Sequence, residues 1–385
     1  MKWKNRGHEY DDAYNNMIAK KKYYLFGAGD YGTQFLKIFE QEINIIGYID
    51  NDIKKQGKII NRKKCYGLNE IILEQDQGII VTMAQWARVI PLQQLNDRGL
   101  QYNEDYFIIE EFISIYNVYK YDKVYFPSVS FLPSTVCNLN CKYCLNFNPY
   151  AKKFYSREWN DLVADVDTFF GCVDHIMLFH VSGGEPMIYK YTADIIQYID
   201  KNYGKRIDTL RTVTNGTVIP SDEILEKLGK CNIEITVDDY REAVPEYKEN
   251  FDKLLQKLSQ YHIRHYINKV DSWIDLAPDK TDYSSMSEEQ LMAHRNSCTQ
   301  SWQELRDGKL YSCNYAAYAA VAGIAGNEDI EETYNLKEFS EDRKKELIEF
   351  RLGYTTKGYS NFCKKCRGFT PNNTDKMMPA EQLRK

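Results

Sequence analysis

Between residues 124 and 276 short apolar runs alternate with helix-like segments, and this alternation limits what the chain can fold into more than any other feature. The runs are Val129-Ser-Phe-Leu-Pro, His175-Ile-Met-Leu-Phe-His-Val, Thr209-Leu-Arg-Thr-Val-Thr, Ile233-Glu-Ile-Thr-Val and His262-Ile-Arg-His-Tyr-Ile. Helical patterns fall between them, near Trp159–Phe170, Thr192–Ile199, Asp222–Leu228 and Tyr247–Leu258. Repeated strand–helix units predict a parallel sheet with right-handed crossovers. A complete eight-fold barrel takes about 250 residues, so residues 121–285 predict a partial, open (β/α)6 barrel within an α/β protein.

The alternation has a counterpart upstream. Tyr23-Tyr-Leu-Phe reads as a strand, Gly27, Gly29 and Gly32 form GxGxxG before a helical pattern, and a second strand ends at Asp50. Such glycines let backbone approach a diphosphate at a helix N-terminus, and an acid after the second strand suits ribose hydroxyls. The competing reading is that the glycines only allow close helix–strand packing. Gly78-Ile-Ile-Val-Thr-Met continues the pattern, giving a Rossmann-like α/β domain over residues 1–120. The Tyr-rich stretch Tyr116–Tyr125 is expected to carry the chain across. After about Thr281 the pattern changes to polar helices and hairpin-like pieces with four cysteines, a small α+β domain over residues 286–385.

In the central region a motif follows each of the first four strands, where open α/β and barrel enzymes gather their active-site residues. Cys137, Cys141 and Cys144 follow the first. With 10 cysteines in the chain, chance supplies roughly 0.007 such spacings. Three thiolates within eight residues can wrap one face of a [4Fe–4S] cube and leave one iron open. Ser182-Gly-Gly-Glu-Pro186 follows the second strand, Thr214-Asn-Gly-Thr217 the third and Asp238-Asp-Tyr240 the fourth. Gly183 and Gly184 expose backbone to a ligand, and Glu185 is an acceptor suited to an ammonium group.

At these residues the sequence resembles the radical S-adenosylmethionine (SAM) superfamily: CxxxCxxC with Tyr143 before the last cysteine, then Gly-Gly-Glu-Pro and Thr-Asn-Gly. The resemblance implies that Cys137, Cys141 and Cys144 hold a [4Fe–4S] cluster whose open iron is chelated by SAM. It also implies that Tyr143 backbone packs near the adenine, that Gly183, Gly184 and Glu185 lie near the amino group, and that Thr214, Asn215 and Asp238 contact ribose or carboxylate. The implied activity is reductive cleavage of SAM and hydrogen abstraction from a substrate C–H bond, with a low-potential donor such as flavodoxin or ferredoxin.

Cys298, Cys313, Cys363 and Cys366 supply four thiolates, enough to close a second cluster. The arrangement resembles the twitch extension of radical SAM dehydrogenases, an abbreviated relative of the SPASM domain, which implies one auxiliary [4Fe–4S] cluster; a Cys₄ zinc site is the alternative. Cys65, Cys172 and Cys231 read as buried hydrophobes, and His180 as a buried strand residue. The run from Phe26 to Asp52 resembles the amino-terminal domains of sugar-modifying acyltransferases, which implies a nucleotide-sugar ligand and a carbohydrate-type or nucleotide-linked substrate. A maturase of ribosomal peptides and a non-enzymatic iron–sulfur or zinc sensor are the competing functions.

Composition excludes other classes. A net charge of −5 argues against nucleic acid as main partner. No run is long enough to cross a membrane and no secretory signal is visible, so a cytoplasmic protein is expected, in which cysteines serve metal better than disulfides.

Overall fold

The computed structural model describes residues 1–300, 302–326 and 332–383. They divide into two compact units, one of Asn5–Lys123 with Lys344–Ile348, the other of Met1–Lys4, Val124–Arg343 and Glu349–Lys385.

The first unit contains helix α1 (Asp11–Ala19), strand β1 (Lys22–Phe26), α2 (Asp30–Phe39), β2 (Ile45–Ile49), β3 (Ile59–Ile60), β4 (Lys63–Tyr66), β5 (Gln77–Val81), α3 (Val89–Asp97), β6 (Tyr106–Ile108) and α4 (Ile109–Tyr121). Its sheet runs β3-β4-β2-β1-β5-β6. Only β3 is antiparallel, to β4. The other five strands are parallel, and the order of winding reverses between β1 and β5, the position where open α/β sheets form a crevice. The Tyr-rich stretch crosses between the units, which divide between Lys123 and Val124, and most of it is helix. Ile109, Phe112, Ile113 and Tyr116 recur at helical spacing and are buried, and burial of that stripe outweighs the modest helix preference of Tyr and Ile. The helix ends at Asp122 in the left-handed region.

The second unit begins with β7 (Tyr125–Phe131), followed by α5 (Trp159–Cys172), β8 (His175–Val181), α6 (Thr192–Tyr203), β9 (Ile207–Thr214), α7 (Asp222–Gly229), β10 (Ile233–Asp238), α8 (Lys248–Gln260) and β11 (Arg264–Asn268). Then come β12 (Trp273–Ile274), α9 (Glu288–Ser297), β13 (Glu304–Arg306), β14 (Lys309–Tyr311), α10 (Asn314–Ala322), β15 (Thr333–Asn335) and β16 (Lys376–Met377). Strands β7 to β11 are parallel neighbours in chain order. The six-unit barrel expected from the sequence is therefore not what forms among the described residues. After β11 the next strand, β12, pairs with β16 in a separate two-stranded sheet. The opposite edge, β7, is extended by β13 in parallel and then by β14 and β15 in antiparallel. The β13–β14 turn is Asp307-Gly308, both at positive φ, the geometry of a two-residue hairpin turn that suits Asp-Gly.

The strand register places the two faces of this sheet. Phe179, Leu210, Ile235 and Val237 are buried on one side, and alternation puts Ser130, His180, Arg211 and Thr236 on the other. His180 stands beside Arg211, and Arg211 beside Glu234. That second face carries polar side chains where closed barrels pack branched apolar ones.

Candidate active site

The cysteine loop leaves β7 and is fastened to the turn after β8 by backbone. Gly184 N–H donates to Ser134 O at 3.0 Å and Glu185 N–H to Val136 O at 2.7 Å. A Cβ on Gly184 would lie 2.3 Å from Thr135 O and 2.4 Å from Val136 O, so the two loops approach as closely as glycine permits. Gly184→Ala is expected to cost about 1–3 kcal/mol or more, read as a lower melting temperature together with poor retention of iron. The control is Gly183→Ala, whose Cβ would come no closer to any atom than 3.3 Å, to Pro186 Cγ. Equal melting of the two variants would refute the close approach.

Glu185 is fully buried and ties the strand ends together. Its Oε1 accepts Thr214 Oγ1–H at 2.8 Å and Met187 N–H at 3.0 Å, and its Oε2 accepts Asn215 N–H at 2.7 Å. Burial pushes its carboxyl up to about 7 against the pull of those donors. The carboxylate is thus committed to protein groups, and neither Glu185 nor Tyr143 lines the adjoining cavity.

That cavity, of about 510 Å³, is lined by Cys137, Cys141 and Cys144, by Gly183, Gly184, Thr214 and Asn215, and by Asp238. All three thiols are free. Burial, then Glu185 and the neighbouring thiols, push Cys137 up to about 12, and burial and Cys144 do the same to Cys141. Three crowded, desolvated sulfurs resist ionisation until a cation joins them. Leu139 N–H faces Cys137 Sγ at 3.5 Å, and the backbone N–H groups of Asn148, Asn146 and Phe147 oppose the effect of burial on Cys144. Asp238, raised by burial, accepts Asn268 Nδ2–H and Tyr240 Oη–H, both at 2.7 Å.

The far wall of the cavity consists of residues that the sequence pattern did not single out as functional. His180, Arg211 and Thr236 reach it from β8, β9 and β10, and Trp302 and Tyr318 from the segment around β13 and α10. His180, expected merely to be buried, belongs to this wall. Its Nδ1 and Thr236 Oγ1 are buried without a hydrogen-bond partner. Burial, helped by Arg211, lowers His180 to about 4, so it is neutral at pH 7. Arg211 is answered by Glu234 at 2.7 Å and lies 5.6 Å from the Tyr266 ring centre. The only signal in the sequence is on β10, where Glu234, Thr236 and Asp238 alternate with apolar residues; along β8 the face of His180 is otherwise Ile176 and Leu178.

Cys298, Cys313, Cys363 and Cys366 also come together. Burial raises Cys363 to about 12, with Cys313 and Cys298 adding to it against Arg295, and Cys366 is raised by burial and by the same neighbours. Phe369 N–H faces Cys298 Sγ and Gly368 N–H faces Cys366 Sγ, both at 3.3 Å. Cys172 and Cys231 instead donate to carbonyls one helical turn back, and Cys65 is wholly buried.

In the first unit Gly27 and Gly32 are close-packed: a Cβ on Gly32 would lie 2.2 Å from Gly27 O, and one on Gly27 2.6 Å from Thr82 O. Gly29, the N-cap of α2, faces open space. Asp50 Oδ2 accepts Ala28 N–H at 2.9 Å and Lys55 Nζ–H at 3.0 Å, and Oδ1 accepts Asp52 N–H at 2.9 Å. Burial opposes ionisation of Asp50, but these donors outweigh it and hold the carboxyl below its usual range.

Residues 131–271 match the family model of the radical SAM superfamily. No curated protein matches the chain. Solved structures similar to it include Streptococcus suis SuiB bound to S-adenosylmethionine (16% identity, TM-score 0.32, 53% of this chain and 42% of that one). Others are anSMEcpe with bound AdoMet and the Cp18Cys peptide (14%, 0.39, 66% and 94%) and BtrN in complex with AdoMet and 2-DOIA (14%, 0.38, 67% and 97%). The chain spans under half the length of SuiB. No helix among the described residues is long and apolar enough to cross a membrane.

Proposed function

We propose that this chain, which carries a radical SAM domain, is an enzyme in which Cys137, Cys141 and Cys144 hold a [4Fe–4S] cluster and SAM occupies the adjoining cavity. The observation that carries the reading is the convergence on one cavity of three free thiols with Gly183, Gly184, Thr214, Asn215 and Asp238. Among the described residues no three His, Cys, Asp or Glu side chains are arranged to hold a single metal ion. A cube asks for something else, because each thiolate meets its own iron. When bound there, such a cluster would supply the low-potential electron for one-electron reduction of SAM's sulfonium. The chain's own part is aim and confinement. Glu185 locks the ends of β8 and β9 together, Asn146 holds Gly183 O from the cysteine loop, and the polar wall seats the substrate.

The wall favours an uncharged, hydroxyl-bearing substrate, and we read it as a carbohydrate or a nucleotide-linked sugar. Arg211 is neutralised by Glu234, His180 is uncharged, Thr236 offers a free hydroxyl, and Trp302 adds a flat apolar face. The cavity volume falls in the small-ligand range. In the first unit, the reversal of winding between β1 and β5, with Gly29 open beside it, supports a Rossmann-like nucleotide site.

Cys298, Cys313, Cys363 and Cys366 fit an auxiliary [4Fe–4S] cluster. Anaerobic reconstitution is expected to give about eight iron and eight sulfide per chain; about four of each with stoichiometric zinc would eliminate the auxiliary cluster. The enzyme reading itself is tested by adding SAM to reduced, reconstituted protein. Release of 5′-deoxyadenosine is expected, and none in the presence of a fully loaded cluster would refute it.

A further inference from the structure

The segment Lys376–Leu383 lies across the cysteine loop. Met377 and Lys376 pair with Trp273 and Ile274, and Ala380 is wholly buried in a cluster with Leu139, Cys141, Tyr240 and Val244. Lys142 N–H donates to Glu381 O at 2.7 Å and Leu383 N–H to Asn140 O at 2.9 Å, so Gln382 stands opposite Cys141 in an antiparallel bridge. The Gln382 amide is oriented from both ends. Its Oε1 accepts Asn140 N–H at 2.8 Å, while its Nε2 donates to Ala380 O at 2.7 Å and to Cys141 Sγ at 3.3 Å. Oε1 is fixed as the acceptor by a backbone N–H, which leaves Nε2 as the donor toward sulfur.

We infer that Gln382 is a positioning residue that sets the reduction potential of the cluster held by Cys141; the inference rests on the cluster assignment under Proposed function. A reduced cluster carries one more negative charge. An N–H donor to a ligand sulfur stabilises that form and raises the potential, as groups around metal ligands do generally. The step affected is entry of one electron from an external low-potential donor, in which no covalent bond forms or breaks. The backbone bonds of the strap hold the amide where the charge appears, so little reorganisation accompanies reduction. Residues distant in sequence thereby act on the loop that binds the cluster.

The test is a redox titration of the reconstituted full chain, followed by electron paramagnetic resonance, comparing wild type with Gln382→Glu and Gln382→Leu. Gln382→Glu keeps an oxygen to accept Asn140 N–H and removes the donor; Gln382→Leu removes both. Each is expected to weaken reduction about tenfold, ~59 mV lower for a one-electron couple, at unchanged iron content. Lys142→Ala breaks the 3.4 Å pair with Glu381 without touching sulfur and is expected to leave the potential in place. Should Gln382→Leu lose iron, the uncharged Gln382→Met, of similar length, carries the comparison. Wild-type potential in Gln382→Glu, or an equal shift in Lys142→Ala, would overturn the inference. A wild-type protein that assembles no cluster at the triad would overturn the cluster assignment instead.

Discussion

Cys137→Ala is expected to abolish release of 5′-deoxyadenosine and to halve the iron, from about eight to about four per chain. A cube held by only two thiolates is left open to solvent, and SAM loses the iron that would chelate it. The fold is expected to survive. Cys137 is only partly buried, its sulfur receives one weak N–H contact from Leu139 and a longer one from Asn215 at 3.8 Å, and the loop is held by the backbone bonds of Gly184 and Glu185. Cys298→Ala should lose the other four irons while still releasing 5′-deoxyadenosine. The pair of variants separates the two sites by iron analysis and product chromatography. Full iron and unchanged SAM cleavage in Cys137→Ala would sink the assignment of the triad.

Asp165→Ala is expected to be the most destabilising single substitution away from the cysteines. Asp165 and Arg157 form a buried ion pair, and the same carboxylate accepts Asp307 N–H at 2.8 Å and Gly308 N–H at 2.6 Å. It therefore pins the β13–β14 turn to α5. Removing one partner of a buried pair leaves the other charge uncompensated and costs about 3–5 kcal/mol. With roughly 2–4 °C per kcal/mol for a domain of this order, thermal melting monitored by circular dichroism should fall by about 10 °C. Arg157→Met combined with Asp165→Leu should recover part of the loss, because an apolar pair carries no stranded charge. A drop below about 2 °C in Asp165→Ala would show that solvent reaches the site and screens it.

The strands and helices of the central region were legible in the sequence because each repeats a local period. The helix expected near Trp159–Phe170 forms over Trp159–Cys172, and that near Asp222–Leu228 over Asp222–Gly229. The Tyr116–Tyr125 stretch does carry the chain from one unit to the other, which divide between Lys123 and Val124. What the composition did not show is that most of it is the end of α4, whose apolar stripe just upstream, Phe112 to Tyr116, is buried. The sixth barrel unit failed because sheet pairing is a contest between non-local partners: Trp273–Ile274 meets Lys376–Met377, more than a hundred residues away, and no local period records such a choice.

The sequence alone supplied the local motifs of the candidate site. CxxxCxxC, Gly-Gly-Glu-Pro and Thr-Asn-Gly are local patterns, because three cysteines on one short loop and two glycines in one turn have to be neighbours in the chain. Only the tertiary structure decided what surrounds them. It turned Glu185 from a free acceptor into a buried tie, brought His180, Arg211 and Thr236 onto one wall, and laid Gln382 against Cys141. Ligand loops are covalently local, whereas the groups that tune and fill a site are recruited across space by packing, and their positions exist only once the sheet and the strap have closed.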